Sequence, residues 1–334
     1  MSLDETPPPP TALLPLLVFV FDGKGGAREV RGAEFEAGGV HPPEGGFIWV
    51  HMQRGAASTR EWLADCELDE FVIEALTATE TRPRCTVHGD GAVVNLRGVN
   101  PTPGAEPDDM ISVRLWIEKD WVVGVWLRAL NAVVDLIEAA RRGHAPSSPG
   151  DFVARLALRL ADRAEPATAE LNERVDALEE ALLDDGRSPS RGELADIRQT
   201  AIGLRRFMFP QRDALATMQI EDLPWLTGTD RSRLREAGDK VTRLAEELDA
   251  IRDRAEVIHD QIMDQRAELM GRRMLVLSIV AALFLPMTLL SGMLGMNIGG
   301  LPGLDYPYAF WIVCGLMVLI GVIQYFVFKW LRMI

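Results

Sequence analysis

Charged side chains are missing from two long stretches of the sequence, Met274 to Leu304 and Tyr306 to Phe328. Each gap exceeds the roughly 20 apolar residues that a helix needs to cross a ~30 Å hydrocarbon layer. Two such runs close together predict a pair of transmembrane helices rather than the core of a soluble fold. Cysteine is also scarce. Cys66, Cys85 and Cys314 have no disulfide spacing, which fits a reducing compartment. Lysine occurs four times against thirty-one arginines, a bias we assign to genome composition rather than to function. There is no glycine loop leading into a basic residue of the Walker type and no paired nucleophile and base, so the chain does not read as an enzyme. Gly23-Lys24-Gly25-Gly26 reads as a turn after a strand. The apolar run Ala12 to Phe21 has no basic region ahead of it and is interrupted by Pro15, so it reads as a buried strand, not a targeting peptide.

What charge there is lies upstream. The net charge is −14, and the only charges after residue 273 are Asp305, Lys329 and Arg332, which leaves −15 on the first 273 residues. That acidity argues against nucleic acid as a partner and for a body that concentrates cations. Arg272 and Arg273 precede the first apolar run, Lys329 and Arg332 follow the second, and the connection between them carries only Asp305. By the positive-inside rule both termini should be cytosolic and the hairpin tip extracytoplasmic, as expected for a multi-pass protein of a bacterial inner membrane.

Residues 1–11, with four consecutive prolines from Pro7, read as a disordered tail. Residues 12–150 alternate strand and helix signals, as in an α/β layered domain. Leu13–Phe21 and Phe47–Met52 read as strands, and Ser58-x-x-Glu61 as the capping box of a helix. Asp90-Gly91 predicts a hairpin between Arg84–His88 and Ala92–Val99. A second hairpin is expected from Ile111–Ile117 to Trp121–Leu127, followed by a helix over Leu130–Ala140. Beyond Pro149-Gly150 only helices are expected: a hairpin over 151–228, with a cap at Asp151, a kink at Pro166 and a second capping box at Ser190-x-x-Glu193, and then a stalk helix over 229–273 capped by Thr229 or Asp230. The first transmembrane helix is expected over 274–296, a loop over 297–305, the second transmembrane helix over 306–328 and a cytosolic tail over 329–334.

Along the stalk, Leu234, Ala237, Val241, Leu244, Leu248, Ile251, Ala255, Ile258, Ile262 and Leu269 keep a heptad rhythm broken at Gln265. No proline interrupts the chain between Pro224 and Pro286, so one helix from 230 to about 295 would be about 98 Å long at 1.5 Å per residue. Two spans cannot enclose a pore, and rods with apolar seams associate with copies of themselves. A cyclic homo-oligomer follows as the expectation.

The hairpin tip reads Leu294-Gly-Met-Asn-Ile-Gly-Gly-Leu-Pro-Gly303, a composition that makes a tight turn. It could be a plain connection. Alternatively, the Asn297 amide oxygen, a hard ligand suited to hydrated divalent cations, could form a neutral collar at the mouth of a pore. Gly295-Met296-Asn297 between two such spans resembles the CorA superfamily of metal-ion transporters. The continuation Gly-Gly-Leu-Pro-Gly and the preceding Phe284-Leu-Pro-Met-Thr288-Leu-Leu resemble its ZntB zinc-transporter branch. Glu80-Thr-Arg-Pro-Arg84, Leu96-Arg-Gly-Val-Asn100 and Asp108-Asp-Met-Ile-Ser-Val-Arg-Leu-Trp116 extend the resemblance over most of the chain. It implies a CorA-like fold: a homopentamer with a funnel-shaped α/β cytosolic domain, long stalk helices and a pore lined by the first span. It also implies Gly295, Met296 and Asn297 as the selectivity element and Thr288 as a pore-lining hydroxyl. Helical spacing back from Thr288 adds Leu285 or Phe284, Ala281, Leu277 and Met274 on about the same face. The cargo would be Zn2+ or a related divalent cation, with no resident cofactor. Two alternatives stay open: a magnesium or cobalt channel of the same superfamily, and a membrane-anchored scaffold or sensor that transports nothing.

No tight metal site is expected. On a strand, Cys85 and His88 point to opposite faces unless a bulge intervenes, and His41, His51 and His144 lack ligand spacing. Cys314 is the only soft ligand in the spans, and it reads as a buried small hydrophobe. Asp253, Glu256, Asp260 and Asp264, with His259 beside them, line one stalk face, joined more loosely by Glu173, Glu179 and Glu180. They are either a solvated face paired with Arg252, Arg254 and Arg266 or a cation-attracting strip, to which Asp305 at the outer tip would add.

Overall fold

The computed structural model describes residues 16–30, 34–35, 40–66, 68–79, 82–100, 102, 104–183, 190–296 and 307–331. The chain forms two compact units, Met1–Ile258 and His259–Ile334. Seven strands of the first unit make one mixed sheet: β1 (Leu16–Phe21), β2 (Ala27–Val30), β3 (Phe47–Gln53), β4 (Arg84–His88), β5 (Gly91–Gly98), β6 (Ile111–Ile117) and β7 (Trp121–Trp126). Their order is β2-β1-β3-β7-β6-β5-β4; only β3 and β7 pair in parallel. The helices α1 (Ala57–Asp65) and α2 (Glu70–Thr77) put Leu63, Val72, Ala75 and Leu76 into a core with Val18, Ile48, Val50, Val93 and Val125. Among the other buried side chains, Phe19 stacks on Trp49 at 5.7 Å and Phe152 tilts against Trp49 at 4.8 Å. After β7 come α3 (Asn131–Arg141), α4 (Pro149–Leu183) and α5 (Arg191–Ile220). The last helix of the first unit, α6 (Gly228–Leu294), runs on into the second without a break.

Several local readings change. β2 was not expected; it pairs with β1 across a turn in which Asp22 accepts the N–H groups of Lys24 and Gly26 at 2.7 and 2.8 Å, with Gly23 and Gly25 at positive φ. Gly23-Lys24-Gly25-Gly26 is therefore spent on closing a hairpin. The β4–β5 turn is Gly89-Asp90, not Asp90-Gly91. Gly89 takes the positive φ of 58°, and His88 pairs with Gly91. Gly91 belongs to the strand, where the Trp116 ring leaves no room for a Cβ, which would lie 2.5 Å from it. α1 starts at Ala57, so its N-cap position is Ala56 and not Ser58. Ser190 does precede α5, but without a side-chain capping bond. Residues 13–15 lie outside the described residues.

The starts of α4 and α6 form one polar knot around two buried carboxylates, Asp151 and Asp230. The Ser148 hydroxyl accepts the Asp151 N–H at 2.9 Å, and the Asp151 carboxylate reaches back to the Ser147 N–H at 3.0 Å. At α6 the cap is Thr227 rather than Thr229 or Asp230: its hydroxyl accepts the Asp230 N–H at 3.2 Å while Asp230 accepts the Thr227 N–H at 3.1 Å. The second is a reciprocal capping box, whereas in the first the return bond reaches Ser147, the residue before the cap. The Ser148 hydroxyl donates to Asp230 at 3.1 Å, which ties the two together. Arg155 of α4 and Arg233 of α6 both bond the fully buried Asp151. Burial alone would raise the Asp151 pKa, but the hydrogen bonds from Arg155 and the Ser147 N–H, with the charges of both arginines, hold it below the ordinary carboxylate value.

The apolar seam of α6 also finds its partners within the chain. Leu234, Ala237, Val241, Leu244, Leu248, Ile251, Ala255 and Ile258 are buried in a single copy, as are Leu171, Val175 and Leu178 of α4 and Leu194, Ile197, Ala201 and Leu204 of α5. Ion pairs flank the stripe on both sides. Lys240 bridges to Glu165 of α4 at 2.8 Å, Arg254 to Glu179 of α4 at 2.7 Å, and Arg205 of α5 to Asp249. The seam from Leu234 to Ile258 is thus covered within the chain and does not itself carry the expectation of self-association. Leu269 differs from the rest in being more than half exposed. Gln211, out of place in the apolar stripe of α5, is buried and accepts the backbone N–H of Arg97 in β5 at 2.7 Å.

His51 gives a pH signature. It is buried in β3 beside Gly124, where a Cβ would sit 2.5 Å from its Nδ1, and neither ring nitrogen has a hydrogen-bond partner among the described residues. Burial lowers its pKa from 6.5 to about 3. The unfolded chain therefore binds the proton that the folded chain refuses between these values, and stability falls as pH drops below about 6.5. Thermal unfolding of the purified protein from pH 7.5 to 4.5 should show this decline, and His51→Leu should flatten it. An unchanged pH slope in that variant would show that His51 does not titrate on unfolding.

Candidate functional site

Among its described residues the second unit consists of the C-terminal part of α6 and of α7 (Ala309–Trp330). Both carry a window long and apolar enough to cross a bilayer, and no residue of either window is fully buried within the chain. In water such surface would be unstable; in hydrocarbon it is what a span presents.

The two helices touch along narrow stripes. On α6 the half-buried positions are Ile279, Leu283, Pro286, Met287 and Leu290, and on α7 they include Val313, Met317, Ile320, Gly321, Gln324 and Phe328. Both sets recur every three or four residues, which is the signature of helix packing. Gly321 permits the close approach, since a Cβ there would lie 3.0 Å from the Met287 terminal methyl. This use of a small residue is typical of membrane helix contacts. Gln324 donates its side-chain N–H to the Ala282 carbonyl of α6 at 3.0 Å. Sequence reading passed over Gln324, although it is the only amide side chain in α7.

The residues expected to line a pore lie on the opposite side of α6. At about 100° per residue, Met274, Leu277, Ala281, Leu285 and Thr288 centre roughly 180° from the stripe that meets α7. All five are exposed. A shallow groove of about 620 Å³ runs along this side, bounded by Ala281, Phe284, Leu285, Thr288, Leu289, Gly292, Met293 and Met296. Both Phe284 and Leu285 border it, and Thr288 is the one hydroxyl in its lining. α6 ends at Leu294, where the Gly295 N–H bonds the Ser291 carbonyl at 2.9 Å, and Met296 follows, exposed. Gly295 and Met296 thus continue from the groove. Asn297 and Asp305 lie outside the described residues.

The carboxylates on the stalk face are dispersed. Asp253 pairs with Arg252 at 2.7 Å, and Glu256 with Arg198 of α5 at 3.6 Å. Asp260 and Asp264 are exposed and make no ion pair among the described residues. Arg254 does not serve this face: hydrogen bonds to Glu179 and Asp176 of α4 hold it and raise its pKa above the ordinary value. Glu179 is thereby neutralised, whereas Glu173 and Glu180 are exposed.

No three His, Cys, Asp or Glu side chains converge as metal ligands among the described residues. β4 pairs with β5 at every position from Arg84 to His88, without a bulge, so Cys85 and His88 face opposite ways. His88 instead lies 3.4 Å from Asp69. Burial, followed by the charge of Glu221, pushes the Cys85 thiol up to about 12, and burial with Asp65 nearby pushes Cys66 to about 11. Both remain protonated at neutral pH and are poor metal ligands. Cys314 is partly buried.

Comparison with known proteins agrees with this architecture. Residues 44–330 match the family described as CorA-like Mg2+ transporter protein. The chain is 37% identical over 317 residues to the divalent cation transporter CmaX of Pseudomonas aeruginosa, covering 94% of this chain and 95% of that one. It is 34% identical over 317 residues to the zinc transport protein ZntB of Pectobacterium carotovorum, covering 94% and 95%. The solved structure of full-length CmaX superposes with a TM-score of 0.83 at 34% identity, over 97% of this chain and all of the other.

The two faces of α6 should differ in contact with water. With Cys66, Cys85 and Cys314 replaced by alanine, single cysteines at Ala281 and Thr288 should react with a small charged methanethiosulfonate reagent in membranes. Cysteines at Ile279 and Leu290 should not. Equal protection at all four positions would mean that the groove faces lipid.

Proposed function

From the premise that the chain belongs to the CorA-like Mg2+ transporter family and is a divalent-cation transporter of the CorA and ZntB type rather than an enzyme, we propose that it carries zinc in preference to other divalent cations. It is a membrane protein, and in this reading it lies in the bacterial inner membrane with both termini in the cytosol. Several copies, five by family resemblance, surround an axial pore. The uncovered face of α6 lines that pore, with Met274, Leu277, Ala281, Leu285 and Thr288 along it and Gly295, Met296 and Asn297 at its entrance.

The observation that supports this reading most is the groove from Ala281 to Met296, on the face of α6 turned away from α7. One hairpin cannot enclose water, so this face must meet either lipid or other copies. A hydroxyl at Thr288, and small Ala281 and Gly292 among bulky Leu and Met, suit a narrow wetted passage that bulky apolar rings can close by dewetting. The lining offers no thiolate, imidazole or carboxylate, so a cation would cross with much of its hydration intact. The Asn297 amide then acts on a hydrated ion. Asp253, Glu256, Asp260, Asp264 and Asp305 raise the local cation concentration without binding tightly.

The family description, CorA-like Mg2+ transporter protein, favours magnesium as the second reading. Zinc and magnesium influx into liposomes, measured side by side, separates the two. Absence of any divalent flux would leave only a membrane-anchored scaffold. Asn297→Leu should abolish transport while leaving oligomer size by native mass analysis unchanged. Normal flux in that variant would remove Asn297 from the selectivity element.

The energetics follow from the absence of Asp, Glu and His from both spans. A proton relay through a membrane uses such residues. A divalent ion crossing the whole field gains about 4.6 kcal/mol per 100 mV, enough to drive substantial uptake. Zinc influx should therefore persist with an inside-negative potential and no pH difference. Influx that vanishes without a pH gradient at constant potential would establish obligatory proton symport, and Asp305→Asn would then test whether the proton enters at the outer tip.

A further inference from the structure

Pro286 interrupts the hydrogen-bond ladder of α6 within its membrane segment. Proline has no N–H, so the carbonyl four residues earlier, that of Ala282, loses its helical donor. In hydrocarbon no water replaces it, and such groups must be satisfied by protein. Gln324 of α7 supplies the missing bond at 3.0 Å. Its presence in an otherwise apolar segment is costly unless it is paired. Its own Oε1 is buried with no hydrogen-bond partner among the described residues, so the side chain is held by the single bond it donates. Gly321, one turn earlier on the same stripe, lets α7 come close enough for the amide to reach the α6 backbone.

We propose that Gln324 is a positioning residue for transport: it stands in for the peptide donor that Pro286 removes and sets the angle at the proline between two parts of the ion-lining helix. One part carries Met274 to Phe284, the other Thr288 to Met296. Pro286 lies between Leu285 and Thr288, so a change in helix direction at the proline would turn the inner apolar residues relative to the Thr288 hydroxyl and the entrance. A glutamine clamp does this where a continuous helix could not, because a side-chain bond leaves the backbone angle to be set by the neighbouring helix. The proposal rests on the transport reading, whereas the Gln324–Ala282 bond itself does not.

The test is a double-mutant cycle on the full-length protein with Gln324→Leu, Pro286→Ala and both together. Thermal unfolding in detergent and zinc influx into liposomes are measured for each. Gln324→Leu alone should lower the unfolding midpoint and cut influx at least fivefold, with oligomer size unchanged. With alanine at 286 the helix regains its own donor to Ala282, so adding Gln324→Leu in that background should change neither quantity. Equal destabilisation by Gln324→Leu in both backgrounds would show that it acts by packing and would overturn the assignment. Wild-type influx in the Gln324→Leu single variant, with a lowered midpoint, would reduce Gln324 to a structural role. If the unaltered protein carries no divalent flux the transport reading fails, yet the stability cycle still decides whether the bond exists.

Discussion

Hydrocarbon offers no hydrogen-bond partner to a peptide group, and the second unit is organised around that constraint. Pro286 leaves one carbonyl of α6 without its helical donor, and a glutamine from the neighbouring helix meets it. The same scarcity of partners explains the slender contact between α6 and α7, which relies on Gly321 and close packing because lipid provides no hydrophobic drive. With one side of α6 committed to α7, the other remains open. Every statement about an ion pathway begins from this division of one helix into two faces.

The first unit solves the opposite problem in water. Its net charge is strongly negative, yet its helices are joined by pairs in which arginine and lysine meet carboxylates across α4, α5 and α6. The knot at Ser148, Asp151, Thr227, Asp230 and Arg233 aligns the N-termini of α4 and α6 and satisfies orphan N–H groups at both. Asp151 must be ionised to hold two arginines, and its lowered pKa secures that at neutral pH. Other carboxylates of this unit, such as Glu173 and Glu180, remain exposed.

A heptad seam reports that a helix face will be buried, not by what. The rhythm from Leu234 to Ile258 was legible, but its partners are α4 and α5 of the same chain, with which it is joined by Lys240, Arg254 and Arg205. Turn chemistry misled for a similar reason. Asp90-Gly91 has the favoured hairpin dipeptide, yet Gly91 lies in the strand beside the Trp116 ring and Gly89 takes the positive φ. Gln211 fills one place of an apolar stripe, and Gln324 is the one amide side chain in α7. Each meets a backbone group distant in sequence, which no local pattern encodes.

The sequence by itself determined the features that depend on composition and short spacing. These are the two uncharged runs long enough to span a bilayer, the alternation of strand and helix ahead of them, and the Gly295-Met296-Asn297 signature that carries the family resemblance. Length and hydropathy act locally, so a linear reading captures them. Tertiary structure alone decided which faces are used. The covering of the α6 seam within the chain, the turning of Thr288 away from α7 and the pairing of Gln324 with Ala282 depend on contacts between residues tens to hundreds of positions apart. Such contacts are fixed by the packing of whole helices, which a local sequence pattern constrains only on one side.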